Sequence, residues 1–214
     1  LEPDGRHTFD LVCPDRVIRD CTPGVPGWVN VENCVAAAAM LWVAGFDEAK
    51  LRVAIVAFSG VMRRFDFYVN TPKHIYMDDY AHHPNELRAA ITSVREMFPA
   101  RKLTVVFQPH LYTRTRDFYQ DFADSLSLLD EVILVDIYPA RETPIPGVTS
   151  KLIYDNLRPG IEKSMCKKEE ILNILKDKNI EVLITLGAGD IDNYVPEIKK
   201  ELEKMKNEER RTKN

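Results

Sequence analysis

Four short runs of apolar residues recur along the later part of the chain, at 75–78, 103–107, 132–136 and 182–186. Each run is almost continuously apolar, which is typical of strands that are covered on both faces. The segments between the runs place apolar residues three and four positions apart, as on one face of a helix. This alternation predicts an α/β domain with a Rossmann-like, doubly wound, mostly parallel sheet.

The helical segments of this domain have recognisable start signals and apolar faces. Pro84 stands at the first helical position of one segment, and its apolar face runs from Leu87 to Phe98. Two further faces run through 118–129 and 171–175. These segments predict the helices that cover the sheet.

The first sixty residues follow a different pattern. Helical composition runs from Asn30 to Ala44, and Asp47 is placed to cap a second helix that reaches about Phe58. Weak alternation over 7–13 predicts one strand of a hairpin. So few elements do not easily close a core alone, so we expect this part to be the tail of a larger domain and the chain to be a fragment.

Composition excludes several function classes. The 214 residues are 45% hydrophobic and 29% charged with a net charge of −4, as in soluble globular proteins, and this charge argues against nucleic acid as the main partner. The four cysteines have no CxxC or Cys/His metal spacing, so we expect no metal site and a reducing, cytoplasmic setting. No apolar segment reaches membrane-spanning length, so we expect no membrane partner.

The segment 78–84, Asp-Asp-Tyr-Ala-His-His-Pro, carries the strongest chemical signal. It places two acids and two imidazoles between a predicted strand and a predicted helix, where α/β proteins bind phosphorylated ligands. The plain alternative is a charged loop that only caps the helix. Two acids and two histidines within seven residues favour a functional site, with the ligand left open.

Three other loops also follow predicted strands, so we expect all four to gather at one edge of the sheet. In 107–117, His110 and Arg114 are candidates for an anionic ligand, whereas Arg116 is expected to form a surface ion pair with Asp117. The segment 138–147 contains three prolines and predicts a stiff connection, and 186–191 has two glycines that favour tight strand-to-helix packing.

Two pairs of residues are left undecided by spacing alone. Asn30 and Asn33 lie one helical turn apart, where their amides suit either a purine edge or a capping role. Arg63 and Arg64 suit either a phosphate or a solvated charge pair. The chain contains no Gly-x-x-x-x-Gly-Lys-Ser/Thr loop, so a phosphate cradle for ATP would have to lie elsewhere.

These motifs, taken in their order, resemble the Mur ligase family. The resemblance rests on 60–65 after the Asn30 helix, on 78–84, on Gln-Pro-His at 108–110 with 112–116, and on 138–147 and 186–191. It implies that 1–62 is the C-terminal part of a central ATP-binding domain and that 63–214 is a C-terminal Rossmann-like domain. It also implies a UDP-sugar domain, an ATP loop and a modified lysine upstream.

The activity implied by the resemblance is ATP-dependent formation of a carbon–nitrogen bond. An acyl phosphate of UDP-N-acetylmuramic acid is attacked by the amine of L-alanine, in cytoplasmic peptidoglycan precursor synthesis, with ATP and Mg²⁺ as cofactors. The isolated fragment is then expected to be inactive. The alternatives are a related ligase that attaches a preformed tripeptide, and a non-catalytic module that binds nucleotide.

The resemblance also implies roles for individual residues. The adenine contacts are Asn30 and Asn33, the ribose contact is Asp79 and the phosphate contact is Arg64. The catalytic group is His82, His83 and Arg64, and the amino-acid contacts are Tyr80, His110 and Arg114, with Arg114 on the carboxylate. Two positions depart from the family pattern: Val29 stands where histidine is frequent, and Leu111 where arginine is frequent.

Overall fold

A computed structural model describes residues 1–2 and 5–212. The strands are β1 (Phe9–Val12), β2 (Val17–Cys21), β3 (Asp66–Asn70), β4 (Ile75–Asp79), β5 (Leu103–Phe107), β6 (Glu131–Leu134), β7 (Glu162–Met165) and β8 (Val182–Leu186). The helices are α1 (Trp28–Val43), α2 (Glu48–Ala57), α3 (Pro84–Met97), α4 (Tyr112–Leu126), α5 (Lys151–Asn156), α6 (Ile171–Lys176) and α7 (Val195–Thr212). Short 3-10 helices occupy Lys168–Glu170 and Asp190–Tyr194.

Six strands form one sheet in the order β3-β4-β8-β5-β6-β7, and only β3 runs antiparallel to its neighbour. The central strands β4, β8 and β5 are buried along their whole length. Their ends are in register, because Leu186 pairs with both Asp79 and Phe107. The loops that follow β4, β5 and β8 therefore begin side by side, at the carboxyl ends of these strands.

Helices cover both faces of the sheet, which confirms the predicted doubly wound α/β class. On one face, Leu87 of α3 and Phe122 of α4 belong to a buried cluster that also includes Ile153 of α5. On the other face, Ile171 of α6 and Ile198 of α7 pack against the sheet. In the described part of the chain, no helix is long and apolar enough to cross a membrane.

The first part of the chain is a β-hairpin packed against two helices. Strands β1 and β2 pair antiparallel, as the weak alternation over 7–13 suggested for the first of them. Asp47 caps α2 by accepting a hydrogen bond from the Lys50 backbone N–H at 3.1 Å. The buried cluster here is small, and large apolar side chains such as Met40, Val43 and Val53 remain exposed.

Three strands lie where no continuous apolar run predicted them. Strand β2 completes the hairpin, and β3 and β7 are the two edges of the large sheet. The sequence of β7 is Glu-Lys-Ser-Met, with no residue fully buried. Edge strands face solvent on one side and are often polar, so they lack the apolar signal of the central strands.

A buried carboxylate joins β6 to β5 and to the segments before β5 and β8, at the end of the strands opposite the polar loops. The side chain of Glu131, at the start of β6, is 1% exposed and accepts hydrogen bonds from Lys178, from Lys102 at 3.0 Å and from Thr104 at 3.2 Å. Burial acts to raise the pKa of Glu131, but the two ammonium groups outweigh it and hold that pKa below its ordinary value.

We predict that Glu131→Gln lowers the free energy of unfolding at pH 7 by about 1.5–3 kcal/mol, the usual worth of hydrogen bonds to a charged group. Because the folded-state pKa is depressed, this contribution is present above the unfolded value, about 4.3, and is lost as the pH falls through the folded value. Urea unfolding of both proteins at several pH values should therefore show the difference shrinking in acid.

The matched control is Glu162→Gln, because Glu162 contacts the same Lys102 ammonium at 2.7 Å but its side chain is 65% exposed. An exposed pair of this kind contributes about 0–1 kcal/mol. Equal losses of stability in the two variants, or a pH-independent difference for Glu131→Gln, would contradict the assigned role.

Candidate functional site

A buried carboxylate binds the backbone of the connecting segment after α2 to the end of β4. Asp79 accepts one hydrogen bond from the Phe65 backbone N–H at 2.7 Å and another from the Ala81 N–H at 2.7 Å. The Tyr80 N–H donates to the Arg63 carbonyl at 2.7 Å. The segment 63–65, called the hinge segment below, is therefore bound to the first residues of the loop that follows β4.

An open cleft of about 730 Å³ lies between the helices of the first part and the hinge segment. Its apolar wall comes from α1 and α2 and includes Ala37, Leu51 and Ala54. Its polar lining residues are Asn30, Asn33, Arg64, Asp79 and Glu86. A largely apolar cleft with a few polar groups suits a flat ligand with polar edges, and the Arg64 guanidinium suits an anionic extension of that ligand.

The polar residues of the cleft differ in burial and in the hydrogen bonds that their side chains already make. The Asn30 side chain is buried, and its amide donates to the Pro26 carbonyl at 2.7 Å. Asn33 and Arg64 are exposed to the cleft. Burial raises the pKa of Asp79, while its two backbone hydrogen bonds and Arg64 oppose that rise. Each carboxylate oxygen has a second lone pair, so Asp79 can still accept a hydroxyl.

Four rings form a continuous row from the cleft to the loops after β5 and β6. The centroids of Tyr80 and His82 are 5.2 Å apart, those of His82 and His110 are 5.7 Å apart, and those of His110 and Tyr138 are 5.7 Å apart. The Arg64 guanidinium carbon lies 5.3 Å from the Tyr80 ring centroid. This ring row, Tyr80–His82–His110–Tyr138, connects the cleft to a second group of polar side chains.

The second group centres on His110 and Arg114. Arg114 stands in the first turn of α4, with its guanidinium 3.5 Å from the His82 carbonyl oxygen. Burial is the main cause that lowers the pKa of His110. The charge of Arg114 and, less strongly, His82 lower it further, while Glu142 opposes them. The His110 ring is therefore neutral near pH 7, beside a guanidinium that can bind a carboxylate.

Two residues that the sequence singled out belong neither to the cleft lining, nor to the ring row, nor to the His110–Arg114 group. The His83 ring packs against Phe118, with centroids 5.2 Å apart, while its backbone N–H donates to Glu86 at 3.2 Å. The catalytic role of His83 stays a prediction. Arg116 pairs with Asp117 at 2.7 Å on the surface, as the sequence indicated.

The model of the family "Mur ligase, glutamate ligase domain" matches residues 63–195. The chain belongs to the Mur ligase family.

The related Mur ligases are longer proteins. The chain is 63% identical over 195 residues to the UDP-N-acetylmuramate–L-alanine ligase of Phocaeicola vulgatus, covering 91% of this chain and 43% of that protein. It is 53% identical over 196 residues to the enzyme of the same name from Parabacteroides distasonis, covering 92% of this chain and 42% of that one. The chain thus spans less than half the length of these relatives.

Solved structures agree with the fold. The UDP-N-acetylmuramate-alanine ligase of Thermotoga maritima aligns with a TM-score of 0.70 at 29% identity, over 90% of this chain and 42% of that one. A murein peptide ligase from Psychrobacter arcticus aligns with a TM-score of 0.63 over 87% of this chain and 39% of that one. The latter is 17% identical, so it supports the fold alone.

Three residues that sequence reasoning did not assign belong to this part of the Mur ligase fold. Tyr138 ends the ring row, although its proline-rich loop predicted only a stiff connection. The Glu86 carboxylate accepts from the His82 and His83 backbone N–H groups at 3.0 and 3.2 Å, which its position three residues after His83 could have indicated. Arg63, in the hinge segment itself, pairs its mostly covered guanidinium with Asp78, and no spacing distinguished it from Arg64.

The glycine-rich loop after β8 allows this close packing. A Cβ atom added at Gly189 would lie 2.6 Å from the Tyr138 Cβ, and one added at Gly187 would lie 2.7 Å from the Gln108 carbonyl oxygen. The glycines therefore let the loops after β5, β6 and β8 touch. The predicted close approach occurs here between loops at the sheet edge, whereas the sequence had suggested strand-to-helix packing.

Among the described residues, no group of three or more His, Cys, Asp or Glu side chains could hold a metal ion. The two aspartates at the end of β4 accept hydrogen bonds from internal donors, and among the described residues no third ligand of these types joins them. The residues present therefore do not form a Mg²⁺ site by themselves.

We predict that the pKa of His110 lies below its ordinary value of about 6.5 and rises when Arg114 is replaced by Gln, because a nearby positive charge disfavours the imidazolium. The measurement is an NMR titration of the ring Cε1–H signals, with His110→Gln identifying the signal among the five histidines.

The control is Arg116→Gln, which removes an exposed guanidinium two residues along the same helix and should leave the pKa of His110 unchanged. A His110 signal that titrates above the ordinary value in the unaltered chain would contradict the geometry. So would equal responses to the two arginine substitutions.

Proposed function

We propose that this chain supplies the C-terminal part of an ATP-dependent ligase that joins L-alanine to UDP-N-acetylmuramic acid. The reaction belongs to the synthesis of peptidoglycan precursors in the cytoplasm. The observation that carries the proposal is the juxtaposition of the cleft with the His110–Arg114 group through the ring row. The named relatives supply the identity of the substrates.

The cleft is proposed to receive the nucleotide. Asn30 and Asn33 lie on the same wall, where their amides suit the edge of adenine, and Asp79 can accept a ribose hydroxyl. Arg64 lies at the ring-row end of this cleft and suits the phosphates. When bound, ATP would supply the phosphoryl group that activates a carboxylate.

The other end of the ring row is proposed to receive the amino acid. Arg114 would bind its carboxylate, because a guanidinium matches the two carboxylate oxygens. The neutral His110 ring would accept a hydrogen bond from the amine, and Tyr80 and His82 would fill the space between amino acid and nucleotide. Leu111, where the family often has arginine, leaves Arg114 as the principal cation.

The proposed contribution of this chain is alignment and charge neutralisation. Two anionic substrates must approach, and Arg64 and Arg114 would offset their repulsion. Closing the cleft and the ring row over bound substrates would fix the reacting groups, and alignment of this kind can supply about 7–11 kcal/mol of the barrier. His82 and His83 are proposed to exclude water beside the reacting atoms.

The domain arrangement and the metal are part of the same proposal. Residues 1–62 would be the end of a central ATP-binding domain and 63–214 the C-terminal domain. The described residues do not form a Mg²⁺ site by themselves, so its ligands would come from the rest of the enzyme. The chain alone would then lack catalytic activity.

The proposal is tested with a chimera in which this chain replaces the 195 matched residues of the Phocaeicola vulgatus relative. We predict phosphate release that requires ATP, UDP-N-acetylmuramic acid and L-alanine together, and none from the present chain alone. Release when a tripeptide, but not alanine, is supplied would favour the recycling ligase. A stable, nucleotide-binding chimera without turnover would favour a binding module.

The same assay tests the amino-acid end through Arg114→Ala in the chimera. We expect the KM for L-alanine to rise about 10- to 100-fold, because a carboxylate loses its charged partner, while the KM for ATP stays within about twofold. Arg116→Ala is the control and should change neither constant. Equal increases in both constants would contradict the role of Arg114.

A further inference from the structure

The two neighbouring arginines of the hinge segment have opposite environments. The Arg63 side chain is only 14% exposed, whereas Arg64 is exposed and lines the cleft. The proposed function uses Arg64 and leaves Arg63 without a role. A buried guanidinium next to a site requires partners, and these partners indicate what it does.

The Arg63 guanidinium is held in three directions at once. Its Nε donates to Asp78 at 3.1 Å, its Nη2 donates to the Gly187 carbonyl at 2.6 Å, and its Nη1 lies 3.2 Å from the Asp192 carboxylate. Asp78 has no exposed surface, and its other oxygen accepts from the Thr185 hydroxyl at 2.6 Å. Arg63 therefore crosses from the hinge segment to the ends of both β4 and β8.

The backbone on either side of Arg64 is strained. Arg63 has φ +61° and Phe65 has φ +52°, in the left-handed region that side chains other than glycine rarely adopt. Such conformations persist where the surroundings over-determine them. Here the Arg63 carbonyl accepts from Tyr80 N–H, and the Phe65 N–H donates to Asp79. These constraints determine the direction in which Arg64 leaves the backbone.

Arg63 also contacts the first member of the ring row. Its guanidinium carbon lies 5.0 Å from the Tyr80 ring centroid, and that of Arg64 lies 5.3 Å away. Tyr80 is therefore in contact with both cations, and cation–π attraction favours this arrangement. The position of Arg63 consequently affects one residue of the cleft and one of the ring row.

We propose that Arg63 is a positioning residue of the ligase. In this role it contacts no substrate and holds Arg64 toward the nucleotide. The inference rests on the proposed function, since it concerns how that site is kept in order. It differs from a purely structural ion pair in one respect: the effect of Arg63 on nucleotide use is transmitted through Arg64.

The test is a double-mutant cycle in the chimera with Arg63→Lys and Arg64→Ala. Lysine keeps the charge but cannot reproduce the planar fork that reaches three partners. We expect Arg63→Lys to lower kcat/KM for ATP about tenfold when Arg64 is present and less than about twofold in the Arg64→Ala background. Multiplicative losses in the double variant would overturn the proposal, because a structural defect acts in either background.

Two further variants keep the test decisive. Arg158→Lys changes an exposed arginine that pairs with Asp124 at 3.3 Å, and it should leave kcat/KM unchanged. If Arg63→Lys does not fold, Asp192→Asn removes only the outer, 40% exposed partner of Arg63. Asp192→Asn should lower kcat/KM for ATP about two- to threefold when Arg64 is present and leave it unchanged in the Arg64→Ala background. Equal losses in both backgrounds would overturn the proposal.

The unaltered chimera separates this inference from the proposed function. If it does not join alanine to the sugar nucleotide, the proposed function fails before Arg63 is tested. If it is active and the Arg63→Lys loss is independent of Arg64, only the inference fails. The thermal midpoint of each variant is measured beside its kinetics, so that loss of folded protein is not read as loss of positioning.

Discussion

The site depends on the carboxylate of Asp79, which accepts one hydrogen bond from the hinge segment and one from the loop after β4. The hinge segment is also held by the Tyr80 N–H on the Arg63 carbonyl and by the buried Phe65 ring, and the Asp79 bond fixes the strained Phe65 backbone itself. With it, the cleft wall that carries Asn30 faces Arg64, and Arg64 reaches the ring row. Asp79 thus helps to hold, at the end of one strand, the two regions that we propose bind ligands.

Buried charges have different surroundings at the two ends of the parallel strands. At the end where the parallel strands begin, Glu131 pairs with Lys102 and Lys178. At the opposite end of the strands, Asp78 pairs with Arg63 near the cleft. Arg64 and Arg114 form no ion pair with a carboxylate among the described residues. The first arrangement is predicted to stabilise the fold, and the second leaves exposed the cations that we propose bind anionic ligands.

The sequence predicted the parts of this structure that follow from burial. Continuous apolar runs predicted β4, β5, β6 and β8. The rule that ligands lie beyond strand ends predicted that His82 and His110 lie close together. Edge strand β7 is polar, and edge strand β3 offered only the short run Phe-Tyr-Val at 67–69, so neither was predicted. Arg63 and Arg64 have identical side chains, so only the positive φ of Arg63 and its buried partners distinguish them, and neither is visible in a residue pattern.

The most direct measurement of this account is native-state hydrogen exchange at the Phe65 amide in the present chain, compared with core amides such as Met77 and Ile184. If Asp79 fixes the hinge segment, the Phe65 amide exchanges only through the rare openings that also expose the core, and Asp79→Ala accelerates Phe65 far more than Ile184. A Phe65 amide that exchanges as fast as one in an exposed loop would contradict the account, because the cleft and the ring row would then not be held together.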